Sequence, residues 1–458
     1  MSDVRIRLVA VVVLLLPAAA AAKGGAYRST KHGDARTGVL RLPDQAPGEC
    51  TQCHNAHPAQ GQRFGLFAAD DNRLCATCHN QPGAAGSYPG SLRYEQSAHA
   101  TSSGMTWPGP DPRARGSSDA GKCVNCHDPH GVRDARGVIA SMLVAREENA
   151  CLPCHDGSRA RDRVAGDVRK PYRHPVALSG RHLASEGNDP ARFAAGPVDA
   201  RHAECVDCHN PHVGRAQPVP PQPPDAAEDL TGVGRVRVTN GAAGVPPLYT
   251  FAPADDLGPA REYEICFKCH SSWTRQPRGQ ADLAMLLNPA NPSFHPIEAV
   301  GRNRSIRPAA FVAGWSWDRL IFCGDCHGSD DDGARGPHGS IYKGLLRRSY
   351  STGSPTQESA PTDLCFSCHA YAAYADAGAV GPSQTASRFA GAHGHTFHVG
   401  SKRVPCAACH DAHGSARYPA LLAVGRLPGL TAFVPDPGGG TCLSTCHAAQ
   451  RYTLGYPR

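Results

Sequence analysis

The sequence predicts a mostly irregular chain with short α-helices at recurring cysteine motifs, little β-structure, and an interior filled largely by something other than its own side chains. Three observations carry this. The 458 residues include 49 Gly and 40 Pro, which break long elements. Only 40% are apolar, little for two or three ordinary cores. And all 20 cysteines fall into ten close pairs, each with a histidine directly after the second cysteine.

The first 22 residues are read apart from the fold. Arg5 and Arg7 precede the apolar run Leu8 to Leu16, then Pro17 and an alanine tract ending in an A-x-A pattern. This is the layout of a cleaved signal peptide, and the apolar run is short for a membrane span. The alternative is an uncleaved anchor.

The pairs are Cys50/Cys53, Cys75/Cys78, Cys123/Cys126, Cys151/Cys154, Cys205/Cys208, Cys266/Cys269, Cys323/Cys326, Cys365/Cys368, Cys406/Cys409 and Cys442/Cys446, followed by His54, His79, His127, His155, His209, His270, His327, His369, His410 and His447. Paired cysteines suit disulfides in an exported protein or zinc ribbons. Neither explains the histidine in all ten places, when histidine fills only 24 of 458 positions. CxxCH is the attachment signature of haem c, with two thiols for thioether bonds and an imidazole for the iron. If Cys123 to His127 make one helical turn, positions i, i+3 and i+4 share a face, and all three side chains address one porphyrin. Ten haems are expected. Cys442-Leu443-Ser444-Thr445-Cys446-His447 has one residue too many for that turn and requires a distorted one; a disulfide or two thiols is the alternative there.

The motifs alternate in kind. Five have a second histidine downstream, at His57, His130, His212, His338 and His413; five lack it. Ahead of each motif of the first kind stands another histidine: His32, His99, His174, His295 and His398. The chain thus reads as five units of His, CxxCH, His, CxxCH, with ten histidines to close ten irons on their second side. His182 and His202 rival His174, and His393 and His395 rival His398. His130 cannot circle the ring to the iron that His127 holds, and Pro129 tends to end the turn, so it should serve a neighbouring haem.

Regular structure is expected as a helical turn at each motif, such as 363–371, a longer helix over 137–148, and a hairpin within 235–251 around Asn240-Gly241. Residues 216–227 (AQPVPPQPPDAA) read as a Pro-rich linker. The expected organisation is a signal peptide at 1–22, a five-haem lobe at 23–215, the linker, and a second five-haem lobe at 228–458.

The formal charge of +7 does not indicate a nucleic-acid partner. Without residues 1–22 it falls to +6, and ten haems with two propionates each bring it to about −4 oxidised and about −14 reduced. The arginines are better read as propionate partners.

The phrases LCFSCH and CAACHDAHG resemble the repeat of the multihaem c-type cytochromes with doubled CxxCH motifs. The resemblance runs from about His32 to His447. It implies a multihaem cytochrome c architecture with a haem-filled core, acting as an electron carrier or conduit. Members of that family work in the periplasm, in outer-membrane porin–cytochrome assemblies or at the cell surface, where some form filaments. Redox donor and acceptor proteins are the implied partners, with a porin, other cytochromes or further copies as candidates. After signal cleavage the chain is not expected to be an integral membrane protein.

Two histidines on every iron leave no site for substrate, so electron transfer rather than catalysis is expected, and the four methionines offer little for a different axial set. The alternative is a multihaem reductase with one open iron, placed in the unit with the Asp330-Asp331-Asp332 insert or at the tenth motif.

Overall fold

A computed structural model describes residues 26–55, 57, 65–68, 72–79, 94–102, 123–160, 162–176, 203–215, 217, 219–274, 276, 279–331, 333–350 and 358–457. The expected signal peptide, His182 and His202 lie outside them. The chain forms two compact units, one of residues 1–70 and 126–146, the other of 71–125 and 147–458.

Most motifs close a single turn. The backbone N–H of the motif histidine donates to the carbonyl of the first cysteine at His54 (2.8 Å), His155 (3.2 Å), His209, His327, His369 and His410 (2.9 Å each). This is the i to i+4 bond of one α-turn. The turn runs on into a full helix at Asn72–His79 and Glu262–His270. Elsewhere it stays short, as at Cys205–Cys208, Cys323–Cys326, Cys50–Gln52 and Cys406–Ala408. Residues 363–371 hold a 3-10 turn at Leu364–Ser367 and the start of a short helix, Tyr371–Tyr374.

Glu262–His270 shows why a motif becomes a helix. Glu264 reaches back to the Arg261 N–H (3.3 Å), acids occupy the first turn, and Lys268 and His270 the last, complementing the helix dipole. The helix buries Phe267 against Val236 of the hairpin Arg235–Thr239/Leu248–Ala252, with Ala284, Leu287 and Ile297. Burial of one such side chain is worth roughly 1.5–3 kcal/mol. Arg235, fully buried, is matched by Glu264 and Asp256, each at 3.2 Å. The hairpin lies where the sequence predicts it, with residues 240–247 as its loop.

Other sheets are minimal. Tyr172–Arg173 pairs with Gly339–Ser340, and Ser293–Phe294 with Gly414–Ser415. The only longer one among the described residues is the antiparallel order Leu430–Asp436, Gly439–Ser444, Gln450–Thr453, with Gly439–Ser444 central. Among the described residues, buried apolar side chains gather in four small clusters. Among the described residues no helix is long and apolar enough to cross a membrane.

Two expectations are corrected. Residues 137–148 are not a helix: Ser141 and Met142 sit in the left-handed region, at φ 55° and 54°, which α-helix cannot absorb. The stretch instead makes the strand Gly137–Val138 and short 3-10 turns. The tenth motif is not a distorted turn either. Cys442 lies within the strand Gly439–Ser444, opposite Phe433 and Gln450, and the His447 N–H meets Ser444 Oγ at 3.3 Å. Gly439 and Gly440 have neighbours so close that a side chain would collide, so this sheet packs tightly. As for the Pro-rich run, its end is tied down: Ala226 N–H donates to Ala260 O (2.9 Å), and Asp225 bridges to Arg261.

Candidate haem-binding site

Where a motif closes as a single turn, its two thiols and the following imidazole share one face, and no disulfide joins any of the twenty cysteines. Burial pushes the thiols of Cys208 and Cys326 up to about 12 and those of Cys368 and Cys409 up to about 11. Burial raises Cys154 as well. Burial thus disfavours the thiolate form of these five groups.

The histidine rings meet in pairs. Centroid separations are 6.0 Å for His54/His130, 6.1 Å for His99/His155, 6.2 Å for His174/His270, 6.1 Å for His209/His338, 6.3 Å for His295/His369, 6.3 Å for His327/His413, 6.0 Å for His395/His410 and 6.3 Å for His398/His447. Each joins one motif histidine to one histidine outside a motif. Two imidazoles bound through Nε2 to one metal at about 2 Å place their centroids roughly 6 Å apart. Ordinary aromatic packing also spans this distance, but other ring pairs in the chain scatter from 4.8 to 6.4 Å, whereas these eight stay within 0.3 Å of one another. Their interplanar angles run from 2° to 79°, which rotation about a shared axis through the metal allows and a stacking preference does not explain.

The other ring nitrogen is spoken for. Nδ1 donates to the carbonyl of Ser141 from His127 (3.0 Å), of Asp229 from His209 (3.1 Å), of Gly344 from His327 (2.8 Å) and of Ala420 from His410 (2.8 Å). Among the non-motif rings, His99 donates to Pro211 O (3.1 Å), His174 to Pro337 O (2.6 Å), and His295 to Ala412 O. A carbonyl can only accept, so Nδ1 carries the proton and Nε2 keeps its lone pair for a metal. Ser141 and Ala420 have φ of 55° and 56° and Gly344 of 79°; their left-handed backbone aims the carbonyl at the ring. Burial also holds His338 and His369 at about 4 and His395 at about 3, the neutral state that a metal ligand needs.

Short polar residues set the non-motif rings. Directly after the motif histidine, Asp128, Asn210 and Asp411 each accept the N–H of the histidine two residues on, at 3.0 Å, in His130, His212 and His413. Sequence reasoning misses these three, although the repeated phrase CHDxH or CHNxH is a signal for them. Histidines from different units are interlocked: His174 N–H donates to His338 O (3.3 Å) and His295 N–H to His413 O (3.0 Å). The upstream histidines His99, His174, His295 and His398 thus face the second motif of their own unit, while His130, His338 and His413 face the first motif of the unit before.

Of the remaining sites predicted from sequence, His32, His79, His127 and His212 are engaged by neighbouring groups, and His212 lies 5.9 Å from the Tyr94 ring. His57 is exposed. The ring opposite His410 is His395, with His398 directed to His447.

Successive motifs adjoin. The thiols of Cys151 and Cys205, of Cys266 and Cys323, and of Cys365 and Cys406 are within hydrogen-bonding reach. Cys208 lies close to Cys266, Cys326 to Cys368, and Cys409 to Cys442 and Cys446. From the fourth motif to the tenth, each is beside the next.

The twenty cysteines are alike in the sequence pattern, and the structure departs from that likeness at Cys53, Cys78, Cys126 and Cys269. Cys53, Cys126 and Cys269 are half-buried, and the bonds that define their places run through the backbone. Cys53 O accepts the Phe67 N–H (3.1 Å), Cys126 O the Val144 N–H (2.8 Å) and Cys269 O the Gln276 side-chain amide (2.8 Å). Each carbonyl thereby pins the end of its motif turn to the segment that follows. Cys78 stands exposed in the last turn of Asn72–His79, with Cys75 half-buried one turn earlier. At the sixth motif Cys266 meets the motifs on both sides. The first motifs stand ahead of the succession: Cys50 is exposed and Cys123 is held by its N–H on Asn72 Oδ1 at 2.8 Å. The CxxCH pattern names Cys53, Cys78, Cys126 and Cys269 as attachment points beside their partners in each motif.

Residues 45–84, 117–160 and 320–374 match the family described as the doubled CXXCH motif. These matches support a multihaem c-type cytochrome. They fall on the first, second and fourth units, where two regular motifs stand close together. In the third unit the hairpin and the Pro-rich run separate the motifs, and the fifth carries the widened spacing. No curated protein and no solved structure matches the chain.

Proposed function

We propose that the chain is an exported decahaem c-type cytochrome that carries electrons along its length in the order of its motifs. The observation that carries this is the succession of adjoining thiols from Cys151 to Cys446. Cysteines that hold neighbouring porphyrins by their vinyl edges bring those edges together, and electron tunnelling falls steeply with edge separation.

Bound haem supplies a one-electron ferric/ferrous couple. The chain's own residues do the rest. Motif histidines and their partners His130, His99, His338, His174, His413, His295, His395 and His398 would hold eight of the irons, with His32 and His212 for the two remaining ones. This set exchanges His57 for His395. Closing both sides keeps small molecules off the metal, and imidazole pairs hold potentials low. The Nδ1 to carbonyl bonds fix the rings that make them, so little reorganises there when charge changes. Ten porphyrins would fill the space between the four small apolar clusters, in place of a continuous core.

The apolar segment at 8–16 fits export, which haem c attachment outside the bacterial cytoplasm requires, and places the protein in the periplasm, at the outer membrane or on the cell surface. Its partners are redox proteins at either end of the wire. Intact mass of the purified protein tests the cofactor content: ten haem additions are expected, and a mass with fewer, or with zinc, overturns the reading.

A further inference from the structure

We propose that Lys170 positions the distal ligands of both haems of the third unit, His338 toward the His209 iron and His174 toward the His270 iron; the inference rests on the bis-histidine reading above.

The fourth unit lacks the device that sets His130, His212 and His413. Glycine, Gly328, follows its motif histidine, so no side chain is there to accept the next histidine's N–H, and ten residues separate His327 from His338. Yet the His338 ring reaches the same 6.1 Å from His209 that shorter loops achieve elsewhere. Something else must hold the loop.

Lys170 does so from the segment that carries His174. Its Nζ lies 2.7 Å from Asp167 Oδ1, 2.9 Å from Asp330 Oδ1 and 2.9 Å from Asp331 Oδ2, and donates to Ser329 Oγ at 3.1 Å. Asp330 also accepts the Ile341 N–H (3.1 Å) and Ser329 donates to Asp167 (3.0 Å). The ammonium is therefore a clamp between residues 167–174 and 329–341. Directly beyond it, Tyr172 and Arg173 pair with Ser340 and Gly339. A side chain at Gly339 would sit 1.8 Å from Asp167 O, so the two backbones touch. The His174 ring then donates to Pro337 O and its N–H to His338 O.

Between the fourth and fifth units Ser293–Phe294 and Gly414–Ser415 pair in the same way around His295 and His413. There Asp411 supplies the turn. Lys170 thus does from across the fold what an adjacent aspartate does elsewhere. Its side chain is 16% exposed, those of Asp167 and Asp330 3% and 11%, and that of Asp331 58%, so without the ammonium two buried carboxylates and a third at the solvent edge are left facing one another, and mutual repulsion opens the loop.

The test compares oxidised wild type, Lys170→Met and Lys170→Arg as holoproteins by intact mass and low-temperature EPR. Lys170→Met should keep ten haems but move up to about two in ten from low-spin to high-spin, with low-spin signals restored by added imidazole. Lys170→Arg keeps the charge and should stay close to wild type. A Lys170→Met spectrum identical to wild type overturns the proposal. If that variant yields no holoprotein, Asp331→Asn removes one carboxylate from the clamp and should show a smaller high-spin fraction; a wild-type spectrum there is equally fatal. Failure of the underlying reading is visible separately, as missing haem mass or high-spin iron in the wild type itself.

Discussion

The rings of His327 and His413 face each other at 6.3 Å with their planes 2° apart, although 86 positions separate them in the chain. His327 is fixed by Gly344 O and His413 by Asp411 Oδ1, its N–H donating to that carboxylate. His413→Ala should convert about one haem in ten to high-spin and leave the mass additions unchanged. EPR quantified against total iron checks it; an unchanged low-spin population would show that His413 is not a ligand.

Exchange of His57 for His395 makes opposite expectations for two substitutions. His395 is buried beside His410, Tyr374 and Phe389, whereas His57 is exposed. His395→Ala should create a high-spin haem, and His57→Ala should leave the spectrum as it was. The reverse pattern restores the ligand set expected from order in the sequence.

Asp411 links a turn to a ligand, accepting from His413 and pairing with Arg426 at 2.9 Å. Asp411→Ala should lower thermal stability by about 1–2 kcal/mol, the cost of a lost charge-assisted hydrogen bond, with a broadened low-spin signal from the one haem whose ring it sets. Thermal unfolding and EPR together read this out.

Glu262 accepts the N–H groups of Cys323 and Gly324 at 2.9 and 3.2 Å, and burial pushes its carboxyl up to about 7; burial does the same to Glu298. An acid whose native value is raised binds more protons folded than unfolded between about pH 4.5 and 7, so its contribution is full below that window and is lost as pH rises through it. Thermal stability should fall from pH 5 to pH 8, and Glu262→Gln should reduce the fall. Equal slopes in both proteins would remove Glu262 as the cause.

Among the described residues the buried apolar clusters are small, little to set against chain entropy. Chain made without haem attachment should give a disordered far-UV spectrum and no cooperative melt. A sharp transition in that material would mean that the chain, and not its cofactors, holds the fold.

What is legible in the sequence follows from distance along the chain. The ten motifs, their single helical turns and the helix at Glu262–His270 depend on residues within one or two turns of each other, and their pattern is plain. The small hairpin at Arg235–Ala252 is equally local. Partner choice is not: nothing near His174 or His295 says which segment it meets, because the interlocking there is set by two-residue strand pairs whose halves lie far apart. The same holds for the thiols, since no local feature says that Cys266 meets the motifs on either side. Residues 137–148 read as a helix on composition, but the left-handed Ser141 and Met142 serve the His127 ring, and the site overrides local preference. The acid run at Asp330–Asp331 resembles a solvated loop in sequence because its counter-charge, Lys170, stands some 160 positions earlier. The tenth motif keeps its residues while changing its backbone, since Cys442 is presented from a sheet.

The most direct measurement is low-temperature EPR of the oxidised wild-type protein, integrated against total haem iron. Ten irons between paired imidazoles predict low-spin signals accounting for all of it. A high-spin signal of one haem or more, shifting on addition of nitrite or sulfite, would contradict the closed wire and point to an open, reactive iron.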